Sequence, residues 1–269
     1  MENKILISNN EYHANEAIGS TVLKAITQKS VIHALENPFV ENESSIIGSA
    51  LHCYYLTREN FDLEYIVSPK FDRRTKAGKA DFAEFQEKAD GKTVINEEQF
   101  ELIKGMNETI STHETAKSML TGGESEFSYF TKDEETGLTL KCRPDHVNKD
   151  ALIDLKTARD ASYKGFQKAC GNLSYHVQAA FYLDVYNKAN GTNLKEFYFI
   201  VVENTAPFAV AVYHLDELAI EHGRMAYVKA LKTLAEYKKE STSKEFKRSK
   251  YMYGEGITAL DLPPWAFTA

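Results

Sequence analysis

Two short segments, Arg143-Pro144-Asp145 and Asp154-Leu155-Lys156, stand at strand-turn-strand spacing. If the strands are neighbours, their carboxylates converge, and two converging carboxylates raise each other's pKa unless a cation lies between them. The pair therefore invites a hard divalent metal. Lys156 is two residues beyond Asp154, and the period of a strand sends both side chains to one face. An ammonium group beside metal-bound carboxylates can position an attacking water or neutralise charge building on a phosphate, which is the demand of phosphodiester hydrolysis. Alone, an Asp-x-Lys at a strand end is ordinarily a surface salt bridge worth under about 1 kcal/mol. Here apolar Leu152 and Ile153 lead into it and Arg-Pro-Asp precedes it by one turn, which sets it apart.

The elements that must position these residues follow from periodicity. Val22, Leu23, Ile26, Val31, Ile32 and Leu35 recur at helical spacing, predicting one helix from Gly19 to about Leu35 that ends at Asn37-Pro38. A second helix, Ile46 to Leu56, carries His52. Residues 68–78 read as a polar, basic, mobile loop before a short helix from Asp81 to Lys88, and Asn96 caps a helix to about Thr112. Alternation then predicts strands at 124–131, 138–147 and 151–156, an antiparallel meander. Helical patterns from Tyr163 and from Ser174 follow, then strands near 194–202 and 208–213 and a long helix from the Asp216 cap. The tail to Trp265 has no clear period.

This order specifies an α/β fold: an αβββαβ core with a mixed central sheet flanked by helices and a helical N-terminal extension. One domain is expected over 1–269, with residues 1–92 supplying His52, 93–240 forming the core and 241–269 a tail. Hydrophobic residues at 43% and charged residues at 26% suit a globular chain rather than a disordered or fibrous one. No apolar run reaches the roughly 20 residues of a membrane span, and the start lacks a signal-peptide core, so a cytoplasmic location is expected. Cys53, Cys142 and Cys170 are read as buried thiols; three widely spaced cysteines make neither a disulfide framework nor a four-cysteine iron-sulfur site. A net charge of -7 opposes nucleic-acid binding in general, but what counts is a local basic surface. Two basic stretches stand out, Lys70 to Lys79 with Arg73 and Arg74, and Lys238 to Lys250.

With Pro144-Asp145, Asp154 and Lys156 in this order, the chain resembles the PD-(D/E)xK nuclease superfamily, most closely the RecE exonuclease VIII type, with kinship to the RecB nuclease domain. The resemblance extends from Gly48-Ser-Ala-Leu-His52 to the helix of Gln178. It implies a restriction-endonuclease-like fold in which Asp145, Asp154 and the Leu155 carbonyl hold Mg²⁺, with Mn²⁺ as a substitute. It implies further that His52 assists from outside the core and that Gln178 and Tyr182, four residues apart on one helix face, line the site. Relatives often carry an additional acid on the first strand, for which Glu124 and Glu126 are both candidates. Thr157 either bonds a phosphate or merely ends its strand.

The same resemblance implies a 5′ to 3′ exonuclease on the ends of linear double-stranded DNA, a ring-shaped homo-oligomer and a single-strand annealing partner. An endonuclease of the same superfamily and a non-catalytic DNA-binding or assembly subunit are the alternatives. Reversing the charges of Arg73 and Arg74 is expected to weaken DNA binding and flatten its salt dependence without disturbing the metal site. A titration of affinity against salt checks this, and an unchanged slope would remove both arginines from the interface.

Overall fold

The computed structural model describes residues 3–37, 40–263 and 266. Strand β1 (Lys4–Ile5) precedes α1 (Asn9–Ala14), which opens on a Ser8–Glu11 capping box. The single helix expected over 19–35 is two, α2 (Ser20–Gln28) and α3 (Val31–Glu36). The break has a local cause: the Ser30 hydroxyl accepts the His33 amide hydrogen and caps a new helix start. Pro38 and Trp265 lie outside the described residues. Helix α4 (Glu43–Leu56), capped by Asn42, carries His52, and α5 (Arg58–Glu64) leads into β2 (Tyr65–Ser68), a strand the periodicity does not reveal. The expected loop is shorter than 68–78, because α6 (Lys76–Lys88) begins at a Thr75 cap and contains Gly78. A Cβ there would lie 2.2 Å from the Asp72 carbonyl oxygen, so the close return of the loop demands glycine.

Strand β3 (Thr93–Asn96) pairs in parallel with β2, α7 (Glu97–Thr112) starts at the Asn96 cap as expected, and α8 (Glu114–Met119) follows. The strands expected at 124–131 and 138–147 are each broken in two. Glu126, with a left-handed φ of 59°, separates β4 (Glu124–Ser125) from β5 (Ser128–Lys132). Arg143-Pro144-Asp145 separates β6 (Thr139–Cys142) from β7 (His146–Val147). The single meander is therefore replaced by two sheets. Strands β5 and β6 pair with β1 in a side sheet, while β4 and β7 join β8 (Ala151–Ala158) in the main one.

After α9 (Tyr163–Asn172) and α10 (Tyr175–Asn190) come β9 (Glu196–Glu203), β10 (Val210–His214) and α11 (Glu217–Glu240). The main sheet runs β10-β9-β8-β7-β4, and β8–β9 is its parallel pair. In chain order α8, β4, β7, β8, α10 and β9 make the expected αβββαβ core, with β5 and β6 inserted between β4 and β7. Leu152, Phe197, Phe199 and Val201 pack toward α2, α10 and α11, whereas Ile153, Leu155, Ile200 and Val202 pack toward α4 and α7. The sheet is thus covered on both faces, as the continuous apolar run of its parallel strands requires. Beyond α11, a 3₁₀ turn at Arg248–Tyr251 buries Tyr251, an anchor in the otherwise aperiodic tail. Cys53 and Cys142 are buried and Cys170 partly so, all as free thiols. Among the described residues, no helix is long and apolar enough to cross a membrane.

Helices α10 and α11 meet closely at Gly223, where an added Cβ would lie 2.1 Å from the His176 carbonyl oxygen. Gly223→Ala is expected to push α11 off the helix that bears Gln178 and to cost about 1–3 kcal/mol, as overpacking does. Chemical denaturation checks this, and an unchanged midpoint would show that the helices separate without penalty.

Candidate active site

Strand register aligns the acids. Strand β7 pairs with β8 through His146–Ile153 and Val147–Leu152, and β4 with β7 through Glu124–Val147 and Ser125–His146. Continuing each ladder by one residue sets Glu126 beside Asp145 and Asp145 opposite Asp154, three carboxylates in one row across adjacent strands. The chain leaves the regular ladder at that row. The Glu126 amide donates to the Asp145 carbonyl at 3.2 Å, and the Leu155 amide donates to Asp145 Oδ2 at 2.6 Å. Asp154 is 1% exposed and Asp145 8%.

His52 reaches this row from α4. Its Nε2 lies 2.7 Å from the Leu155 carbonyl oxygen, and because a carbonyl only accepts, Nε2 must carry the proton. Nδ1 then faces Asp145 Oδ1 at 3.5 Å and Glu126 Oε1 at 4.0 Å. The Leu155 carbonyl, expected to face a metal, accepts from the imidazole with one of its two lone pairs. A cleft of about 350 Å³ borders His52, Glu126, Glu64 and Arg143 and is walled by Leu6, Ile7 and Ser8. Arg143 secures that wall, donating from Nη2 to the Ile7 carbonyl at 2.9 Å and from Nε to Ser128 Oγ at 2.9 Å.

On the other side of the row, Lys156 forms an ion pair with Asp154 Oδ2, and its ammonium sits 5.1 Å from the Tyr175 ring centre. Gln178 Nε2 donates to Asp154 Oδ1 at 2.6 Å, and Lys24 Nζ donates to Gln178 Oε1 at 3.1 Å. Tyr182, one turn along α10, has its phenol pushed well up by burial, with Asp154 and Asp145 among the charges that add to this. Its hydroxyl makes no hydrogen bond among the described residues. Lys24 and Tyr175 escape sequence reasoning, since each sits on an ordinary amphipathic helix with no motif around it.

Of the two candidate acids on the first strand, Glu126 belongs to the row. Glu124 points away, bonded at 2.5 Å to Lys4 Nζ and at 3.3 Å to the Tyr129 hydroxyl. The left-handed turn at Glu126 resets the alternation, which no count along the sequence reveals. Thr157 lies inside β8, which runs on to Ala158, so it does not end the strand. Its side chain is on the α4 face, with Oγ1 3.4 Å from where a Gly48 Cβ would stand, opposite to Lys156. Arg73 stacks 4.3 Å from the Phe82 ring centre and Arg74 pairs with Asp72 at 3.0 Å, both local contacts in the β2–α6 loop.

Electrostatics fit a divalent cation. Burial and the neighbouring Asp145 push Glu126 up to about 8, and burial also raises Asp145, more than His52 offsets. Burial alone would lower Lys156, but Asp154 and Asp145 outweigh it and hold the ammonium above its ordinary value. Asp154 is held at both oxygens, Oδ1 by Gln178 and Oδ2 by the Lys156 ammonium. Ligand atoms of His52, Glu126 and Asp145 lie within 4.8 Å of one another, a nitrogen and oxygen set that could hold a divalent cation.

A family profile described as a PDDEXK-like domain of unknown function (DUF3799) matches residues 22–248. Among solved structures, an inferred exonuclease from Eubacterium rectale shares 14% identity over 98% of this chain and 99% of its own, with a TM-score of 0.61. At that identity the likeness establishes a common fold. A phage-related exonuclease from Haemophilus somnus 129PT shares 11% identity over 87% of this chain and 100% of its own, with a TM-score of 0.36, too loose to argue from. No curated protein matches the chain.

The raised Glu126 has a thermodynamic sign. Between the ordinary value of 4.5 and about 8, the folded state binds more proton than the unfolded chain, so stability falls as pH rises through that window. In EDTA the melting temperature is expected to drop from pH 5 to pH 8 less steeply for Glu126→Gln than for the natural chain. Mg²⁺ or Mn²⁺ at pH 8 is expected to raise the melting temperature of the natural chain more than that of the variant. Thermal melts check both, and parallel pH profiles would show that Glu126 is not held up.

Proposed function

The chain belongs to the DUF3799 family of PDDEXK-like domains, and from that premise we propose that it is a divalent-cation-dependent deoxyribonuclease. One observation carries the reading: the row Glu126–Asp145–Asp154, with His52 Nδ1 at one end and the Lys156 ammonium at the other. Glu126, Asp145, Asp154 and His52 would hold Mg²⁺, or Mn²⁺ in its place. A bound ion of this kind polarises a phosphoryl oxygen and makes water more acidic. Lys156, held protonated by its carboxylate neighbours, stabilises charge on the phosphate as a donor and not as a base. Gln178 fixes the Asp154 carboxylate, and Leu155 acts through its backbone, its amide on Asp145 and its carbonyl on His52. Tyr182, one turn beyond Gln178 on α10, would stand beside them. In this reading the first 92 residues bring His52 to a catalytic core at 93–240.

The finer activity rests on the RecE resemblance: 5′ to 3′ hydrolysis of linear double-stranded DNA, leaving single strands for recombination through an annealing protein. A ring-shaped homo-oligomer belongs to the same proposal. The experiment is to incubate the protein with linear duplex and covalently closed circular DNA, with Mg²⁺ or EDTA, beside Asp154→Ala and Lys156→Gln. Loss of the linear DNA alone is expected, with both variants slower by at least about 10²-fold, as for removal of one transition-state donor. Cleavage of the circle would favour an endonuclease. Two intact DNAs in Mg²⁺, and again with Mn²⁺ in its place, would favour a non-catalytic DNA-binding subunit.

A further inference from the structure

Residues 17–35 and 161–183 contain none of the chain's 39 acidic residues, yet carry four of its 32 basic ones, Lys24, Lys29, Lys164 and Lys168. These acid-free segments are far apart in sequence and joined in the fold. Gln28 on α2 donates from Nε2 to the Asn172 carbonyl at 3.0 Å and to Ser174 Oγ at 3.1 Å, clamping the end of α2 to the junction of α9 and α10. Lys24 meets Gln178 and the Tyr175 ring, the same ring that carries Lys156. The joined surface therefore adjoins the Asp154–Lys156 end of the candidate site.

Its exposed polar side chains are lysines and neutral donors. Lys29, Lys164 and Lys168 are exposed and make no ion pair among the described residues, and Tyr163 is 66% exposed on the same helix. The basic stretches conspicuous in the sequence have acids among them, Asp72 in one and Glu240 and Glu245 in the other. Lys70, Arg74, Lys247, Arg248 and Lys250 are each paired with a carboxylate, while Lys238 and Lys239 make no ion pair among the described residues. On a chain of net charge -7, a field that attracts a polyanion must come from a region where lysines outnumber acids; the Asp160 carboxylate lies against Gly165 on α9, but Lys29, Lys164 and Lys168 outnumber it on the joined surface. Lysine, tyrosine, glutamine and asparagine are the side chains that contact phosphate and sugar without reading sequence.

We propose that the α2–α9 surface carries the phosphate backbone of DNA to the Asp154–Lys156 end of the site, an inference that rests on the nuclease reading. The interaction is with successive phosphates, each lysine displacing condensed counterions.

The test measures affinity for a fluorescent duplex against salt, using the full chain in EDTA and, separately, an Asp154→Ala chain with Mg²⁺. Lys164→Gln/Lys168→Gln is expected to reduce the slope of log affinity against log salt by about 2, near 0.9 per phosphate contact. Lys238→Gln/Lys239→Gln removes the same charge from exposed positions without an ion pair among the described residues, on the acid-bearing helix α11, and is expected to leave the slope unchanged. Matching thermal melts show that each variant folds. If the natural chain binds and both pairs give the same slope, the α2–α9 surface is overturned and the nuclease reading stands. If the duplex fails to bind in either background, that reading falls with it. Preference for a polyglutamate chain over the duplex would assign the surface to an acidic protein and overturn the proposal.

Discussion

Everything near the site answers to one constraint: three carboxylates, two of them almost wholly buried, stand in a single row across adjacent strands. Like charges taken out of water raise each other's pKa and cost stability unless positive charge meets them. The chain provides part of that charge itself. Lys156 pairs with Asp154, the Leu155 amide and His52 attend to Asp145, and Glu126 at the outer end is left the least compensated. A cation at that end would complete the balance, so the direction of the Glu126 shift and the nitrogen and oxygen donor set express the same physical deficit.

The row exists because the strands break. A continuous strand would send Ser125 and Phe127 to one face and Glu126 to the other, with no reason for Glu126 to meet Asp145. The left-handed residue at 126 and the Arg-Pro-Asp interruption end β4 and β7 at the same level, and β8, ordered by its pairing to β9, supplies Asp154 there. Irregular backbone that costs on the order of 1 kcal/mol or more persists where surrounding structure over-determines it. Here the determinants include the Glu126 amide on the Asp145 carbonyl and the Arg143 guanidinium tied to Ser128 and Ile7.

Arg143 and Lys141 also decide how the N-terminal segment is used. Lys141 Nζ donates to the carbonyls of Tyr12 and Asn15, at 2.5 and 2.8 Å. Buried cations without carboxylate partners are tolerable when backbone carbonyls satisfy their donors. The result is a wall over the cleft made from residues 6–8, close to His52 and Glu126.

Much of this was legible in the sequence. Asp145, Asp154 and Lys156 stand in a short strand-turn-strand passage where spacing alone determines that they share a neighbourhood, and the capped helices at Asn96 and Asp216 are local decisions that the chain makes for itself. His52 and Gln178 were recognisable only through resemblance, because nothing within about 20 residues of either reports on a partner more than 20 residues away. The choice of Glu126 over Glu124, the division of the meander into two sheets, the parallel strand at 65–68 and the meeting of Lys24 with Gln178 were decided by tertiary structure. Local periodicity records which face of an element is apolar, but not where a ladder stops or which distant element covers it. Those depend on register and packing between segments whose contacts exist only once the chain has closed on itself.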